Sequence, residues 1–277
     1  MSKPPQLKVG DVTIMPVVDA YISAPPSFLF PDVSEKQLDP WRHYVNPEGQ
    51  LDLNIGTYVL RAGGRTVLVD TGLGGKHRRG FPTGDMLNNL KAAGVAPEDV
   101  DIVVITHLHV DHVGWNTVEG NGGWVTTFPR ARYMVVKEEW DFFTTDPTQS
   151  TQAYIQDSVL PLADSGQLEL VAKDFVVTPE LTLVPSPGHT PAHSCVALVS
   201  DGERAIIVGD LTHSPLQLTE TQWELVFDLD RGLACRSREE IAQRIETEGA
   251  YAIGGHFPTP GFGRLVRLGE RRLWQAV

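Results

Sequence analysis

Asp101-Ile102-Val103-Val104-Ile105-Thr106-His107-Leu108-His109-Val110-Asp111-His112 runs an apolar stretch directly into a cluster of metal-competent side chains. The apolar half reads as a buried strand. On a locally extended backbone, residues two apart point the same way, so the imidazoles of His107 and His109 converge on one ion. Asp111 and His112 come after the chain starts to turn and face a second ion. Gly114 and the polar Trp115-Asn116-Thr117 follow, completing the strand-then-turn context that such a motif requires.

H-x-H-x-D-H after an apolar strand resembles the metallo-β-lactamase superfamily, and the rest of that family's pattern occurs downstream in order. Pro187-Gly188-His189-Thr190 follows the strand-like Leu181-Thr182-Leu183-Val184. Ala205-Ile206-Ile207-Val208-Gly209-Asp210 places an acid at the end of another apolar run, and Tyr251-Ala252-Ile253-Gly254-Gly255-His256 supplies a last histidine. Leu68-Val69-Asp70-Thr71-Gly72 stands where family members carry a V-D-T-G turn. The resemblance covers the chain from about residue 55 onward. It implies a four-layer αββα sandwich of the α/β class with two divalent metal ions, most simply Zn²⁺. His107, His109 and His189 would hold one ion, Asp111, His112 and His256 the other, and Asp210 would bridge them. Asp70 would be a buried acid that orients the metal loop.

The same resemblance implies hydrolysis by a metal-bridging hydroxide, with Asp111 also shuttling a proton. Lactones or carboxylic esters are the first substrate class. An aryl phosphotriester on the same site is the alternative, and a mononuclear iron enzyme like the sulfur dioxygenases ranks behind both. Acyl-homoserine lactonases of the superfamily place a tyrosine three residues after the bridging acid, whereas Asp210-Leu211-Thr212-His213 puts a histidine there. A neutral imidazole still donates a hydrogen bond, so His213 joins Asp111 as a catalytic candidate. His193 is read as lying behind the ligands or on the surface. No G-x-S-x-G elbow offers a serine nucleophile.

Composition bounds the partners. A net charge of −12 disfavours nucleic acid and anionic membranes, since phosphate binding needs a basic footprint. No apolar run approaches the ~20 residues that span a bilayer. Met1 to Gln6 lacks the apolar core of a secretory signal, which gives the expectation of a cytoplasmic protein. The 2 cysteines, Cys195 and Cys235, imply no disulfide, and Cys195 reads as a core strand residue. Gly72-Leu73-Gly74-Gly75 lacks the remainder of a phosphate-binding loop and reads as a flexible loop.

The 277 residues, 41% of them hydrophobic, suit one domain over 1–277. Residues 6–19 predict a hairpin around Gly10-Asp11, and strands over 55–60 and 65–69 flank Gly63-Gly64. Helices are expected over 83–94, from 137 to 143, over 150–162 and over 237–248; strands over 132–136, 167–171, 174–178, 180–184, 195–199 and 204–209. Between about 20 and 54 the periodicity fails, and Phe28, Phe30 and Trp41 are expected to wall the pocket, make a homodimer contact or pack beneath a loop. With Trp115, Phe142, Phe227, Phe257 and Phe262 near the motifs, the expected partner is a small, neutral or apolar ester or lactone.

Overall fold

Ile102–Val104 forms the strand that its apolar run predicts, and every residue in it is buried. The cause is its place in the sheet, where parallel neighbours flank it on both sides and other layers cover both faces. The computed structural model describes residues 5–120 and 122–277.

In chain order the first strands are β1 (Leu7–Val9), β2 (Val12–Ala24), β3 (Leu51–Ala62), β4 (Arg65–Val69), β5 (Ile102–Val104), β6 (Thr117–Gly120), β7 (Gly123–Thr126), β8 (Arg132–Val136) and β9 (Leu168–Val171). Then come β10 (Val176–Thr178), β11 (Leu181–Pro185), β12 (Ser194–Ser200), β13 (Glu203–Ile207), β14 (Tyr251–Ile253), β15 (Phe262–Leu268) and β16 (Arg271–Ala276). They build two 7-stranded sheets, ordered β1-β2-β3-β4-β5-β8-β9 and β10-β11-β12-β13-β14-β15-β16, with β6-β7 as a separate hairpin.

The burial pattern shows the layers. Ile14, Tyr58, Val67, Val104 and Met134 of the first sheet pack on Leu181, Val196, Ala205, Ile253 and Phe262 of the second, which makes the inner layer dry. The outer face of the first sheet, with Val59, Val103 and Val135, is covered by Met86 and Leu90 of helix Met86–Ala92 and Phe143 of helix Lys137–Thr145. The outer face of the second, with Cys195, Ile206 and Ala252, is covered by Ile241, Ala242 and Ile245 of helix Arg231–Glu248. This is the αββα order, each sheet burying one face on the other and one on helices.

Several expected elements differ in extent. The expected helix over 150–162 is broken into helix Pro147–Ser150, a π-helical turn Ile155–Val159 and helix Pro161–Ser165. Pro161 has no N–H and starts a new helix, while the Leu160 N–H reaches back to Ile155 O. The apolar residues still point inward as their spacing demands: Ile155, Val159 and Leu162 are buried. The helix expected over 237–248 begins earlier, at Arg231, because Asp230 caps it by accepting from Leu233 N. The β6-β7 and β15-β16 hairpins carry no expectation from the sequence. The irregular N-terminal stretch holds helices Pro26–Leu29 and Glu35–Leu38, and its Phe30 and Trp41 join Leu51, Trp223 and Leu225 in a buried cluster. Phe30 and Trp41 therefore pack beneath the loop rather than wall a pocket.

Candidate metal centre

β4, β5, β11, β13 and β14 all release the chain at one end of the sandwich, and each motif residue sits just past one of those strands. His107 and His109 follow β5, and Asp111 and His112 lie on the single helical turn Val110–Val113. His189 follows β11, Asp210 sits in the turn Gly209–Leu211 after β13, and His256 follows β14. A Ser194 N–H to Thr106 O bond ties the two sheets together at this edge.

Two groups of donors result: His107, His109, His189 and Asp210, and Asp111, His112, Asp210 and His256, the atoms within each group lying inside 4.8 Å of one another. Asp210 belongs to both. Its Oδ2 is 3.5 Å from His107 Nε2 and 3.3 Å from His189 Nε2, and its Oδ1 is 3.0 Å from both His112 Nε2 and His256 Nε2. His109 turns Nδ1 into the group, 3.1 Å from His107 Nε2 and 2.9 Å from His189 Nε2. His213 reaches the same carboxylate, with Nε2 3.1 Å from Asp210 Oδ2. All seven residues of the expected ligand set are thus brought together, with His213 beside them.

The opposite nitrogens of these rings are fixed by the protein. Asp70 Oδ2 lies 2.9 Å from His112 Nδ1, and the same carboxylate accepts from the Thr106 N–H and hydroxyl. Asp70 holds a left-handed conformation, φ 63°, which a short polar residue tolerates best among non-glycines. Asp228 Oδ1 lies 3.0 Å from His189 Nδ1, and His256 Nδ1 donates to Asn54 O. Such contacts select the tautomer and ring orientation that leave the inward nitrogen as a lone-pair donor. At Gly188, φ 130°, a Cβ would strike the Ala234 backbone, so the turn carrying His189 lies directly on helix Arg231–Glu248.

Electrostatics follow the geometry. Burial, and then the neighbouring His112 and His189 respectively, hold His107 and His109 well below the usual histidine range. His112 stands well above it: burial opposes this, but Asp210, Asp111 and Asp70 outweigh burial. Burial also pushes His193 down to about 3. Neither a surface residue nor one of the converging donors, His193 is fully buried and accepts the Asp210 N–H on Nε2. Burial pushes Glu139 up to about 7 against its hydrogen bonds from Thr190 Oγ1, Leu108 N and Ala192 N. That carboxylate clamps the His107–His109 loop to the His189 loop.

A cavity of about 590 Å³ opens over the donors, with His109, Asp111, His189, Asp210, His213 and His256 at its floor. Ile22, Phe28, Leu53, Ile55 and Phe227 form an apolar wall, and Gln149, Gln152 and Tyr154 a polar one. Among the described residues no lysine or arginine lines it. Phe28 and Phe227 meet edge to face at 5.8 Å. Trp115, Phe142, Phe257 and Phe262 instead pack in or against the core clusters, so of the aromatic candidates Phe28 and Phe227 alone line this cavity.

The sequence reading missed Asp19, Glu139, Asp228 and Arg238. Asp19 accepts from Leu73 N, Gly74 N, Met86 N and Trp115 Nε1, and so pins the loop after Asp70. Glu139, Asp228 and Arg238 stand in ordinary charged stretches, and Asp19 is a lone acid at the end of an apolar run; only burial marks them.

Residues 52–256 match the metallo-beta-lactamase superfamily, and the chain belongs to that superfamily. An N-acyl homoserine lactonase of Bacillus sp. is 26% identical in an alignment 181 residues long that covers 59% of this chain and 66% of the relative, just under two thirds of the relative's length. The crystal structure of hydrolase AbOPH in the beta lactamase superfamily superposes with a TM-score of 0.84 at 25% identity, covering 100% of this chain and 98% of that one. AidC, a dizinc quorum-quenching lactonase in complex with a product, shares the fold with a TM-score of 0.82 at 22% identity over 99% and 97% of the two chains. No helix of the described residues is long and apolar enough to cross a membrane.

Proposed function

We propose that this chain, folded as one unit over 1–277, is a dinuclear metal-dependent hydrolase of lactones or carboxylic esters. The carrying observation is the pair of donor groups joined through Asp210 at the floor of a cavity whose walls are uncharged. The donors fit metal on chemical grounds. His112 Nε2, His256 Nε2 and Asp210 Oδ1 are buried, and both nitrogens crowd to 3.0 Å of that oxygen without a well-directed hydrogen bond, an arrangement that a cation between them would satisfy. His107, His109, His189 and Asp210 would hold one ion and Asp111, His112, His256 and Asp210 the other; the imidazole and carboxylate donors suit Zn²⁺. Such ions would supply Lewis acidity and a water ionised near neutral pH.

The protein's own groups do the rest. The apolar wall of Ile22, Phe28, Leu53, Ile55 and Phe227 takes the hydrocarbon part of the substrate, and among the described residues no lysine or arginine stands there to pair with further anionic groups. His213 donates from Nε2 to the carbonyl or leaving oxygen. Asp111, whose Oδ2 lies 3.5 Å from His256 Nε2, carries a proton to the leaving oxygen. The N-acyl homoserine lactonase relative supports an acyl lactone as the substrate.

The test is kcat/KM for a long-chain acyl homoserine lactone beside an aryl phosphotriester, with zinc-loaded and chelator-stripped protein in parallel. Metal-dependent preference for the lactone is the expected result. Preference for the phosphotriester would overturn the substrate class, and turnover by stripped protein the metal requirement.

A further inference from the structure

Arg238 heads the fully buried side chains by volume among the described residues. A buried guanidinium is costly unless every donor is satisfied, and its partners converge on the metal centre. From helix Arg231–Glu248, Nε donates to Leu211 O at 2.8 Å, and Nη1 to Thr221 O and Trp223 O, each at 2.9 Å. Nη2 donates to Asp228 Oδ2 at 3.1 Å, and the other oxygen of Asp228 is the one against His189 Nδ1. The same helix grips the loop before His189, since Ser237 Oγ donates to Pro187 O.

The other donor group is held by different means. His112 rests on Asp70 and His256 on Asn54 O, with no contact to Arg238. Asp210 is anchored through its own N–H by His193. Losing the Arg238 bond to Leu211 O therefore leaves the shared carboxylate in place, whereas losing the bond to Asp228 frees the support of His189.

We infer that Arg238 is a positioning residue for one ion of the pair: it locks Asp228 against His189 and so sets the affinity of the His107, His109 and His189 group, leaving the Asp111, His112 and His256 group to Asp70. The inference rests on the proposed dinuclear reading.

The test follows zinc release from the 277-residue chain into an excess of chromophoric chelator. Wild type is expected to carry two zinc ions; fewer would overturn the dinuclear reading, and this inference with it, before any variant is compared. Arg238→Gln is expected to release one ion about 10- to 100-fold faster and the other at the wild-type rate. Asp70→Asn should speed the other ion more than the first, since Asp70 touches His112 directly and His107 only through the Thr106 hydroxyl, and the double variant both. Arg238→Lys restores a charge beside Asp228 without the fork to the carbonyls. It is expected to speed the same ion less, and it replaces the Gln variant if that one lacks the wild-type circular dichroism spectrum. Equal acceleration of both ions, or of neither, would overturn the inference with the dinuclear reading intact.

Discussion

The imidazole of His213 stacks on that of His256, with centroids 4.8 Å apart and planes 21° apart. A phenyl ring at 213 would keep that stack and lose the N–H beside Asp210. His213→Phe is accordingly expected to lower kcat on an acyl lactone about a hundredfold, the scale of one lost donor to a developing oxyanion, with KM and zinc content little changed. Steady-state kinetics with metal analysis measures this, and near-wild-type kcat would remove His213 from the chemistry.

Stripping the metals should destabilise as well as inactivate. The buried inward-facing atoms of His112, His256 and Asp210 would be left facing one another without a well-directed hydrogen bond, and an ion that binds only the folded state stabilises it by mass action. Calorimetry with and without chelator should show Tm falling by at least about 5 °C. An unchanged Tm would argue that the folded protein gains nothing from metal.

Burial pushes Lys76 down to about 8, with Asp157 opposing and Arg78 adding to the shift. Its ammonium is enclosed by Gly114 O, Thr117 O, Thr117 Oγ1 and Ser158 Oγ. Between pH 8 and the unfolded-chain value of 10.5, the unfolded state holds a proton that the folded state has released. Stability from this group therefore rises with pH across that window, by on the order of 3 kcal/mol at most. Urea titrations of wild type and Lys76→Met across the window would show the difference between them growing in favour of wild type; a flat difference would contradict the assignment.

Gly114 lies where the metal-bearing turn crosses the loop after Asp70. A Cβ there would overlap the carbonyl of Leu73, a backbone group unable to swing aside. Gly114→Ala is expected to cost at least about 3 kcal/mol in denaturant unfolding, though its backbone is helical and alanine would suit it.

Phe28 and Phe227 close the apolar wall by their edge-to-face contact. Phe227→Ala should raise KM for a long-chain acyl lactone about tenfold, the scale of one aromatic ring's lost burial, and leave a short-chain substrate nearly unaffected. A uniform rise for both chain lengths would place the acyl group elsewhere.

The donors were legible in the sequence because each is short-range: an apolar strand, then a turn, then the residue. His107 and His109 could be placed from that pattern itself, and His189, Asp210 and His256 from the resemblance of their strand ends to those of the superfamily. What supports them is long-range. Asp228 serves His189 across 39 positions and Glu139 reaches Thr190 across 51, and neither interval carries a period or a motif. The same limit applied to the fold. Most strands of both sheets were readable from apolar runs, β15 and β16 excepted, whereas the break at 151–160 depends on a proline whose effect tertiary packing decides. Phe28 and Phe227 line the cavity while the other aromatic candidates pack in or against the core, since side-chain size predicts burial without saying on which side of the sheet.

The centre draws its donors from both sheets, joined at the Ser194 to Thr106 bond, and this fixes an order of events during synthesis. His107 to His112 emerge before His189, Asp210 and His256, the residues that complete the two donor groups. Contacts so distant in sequence form late. Neither donor group is complete until the second half of the chain has docked on the first, so the centre is a property of the finished sandwich and not of the motif that begins it.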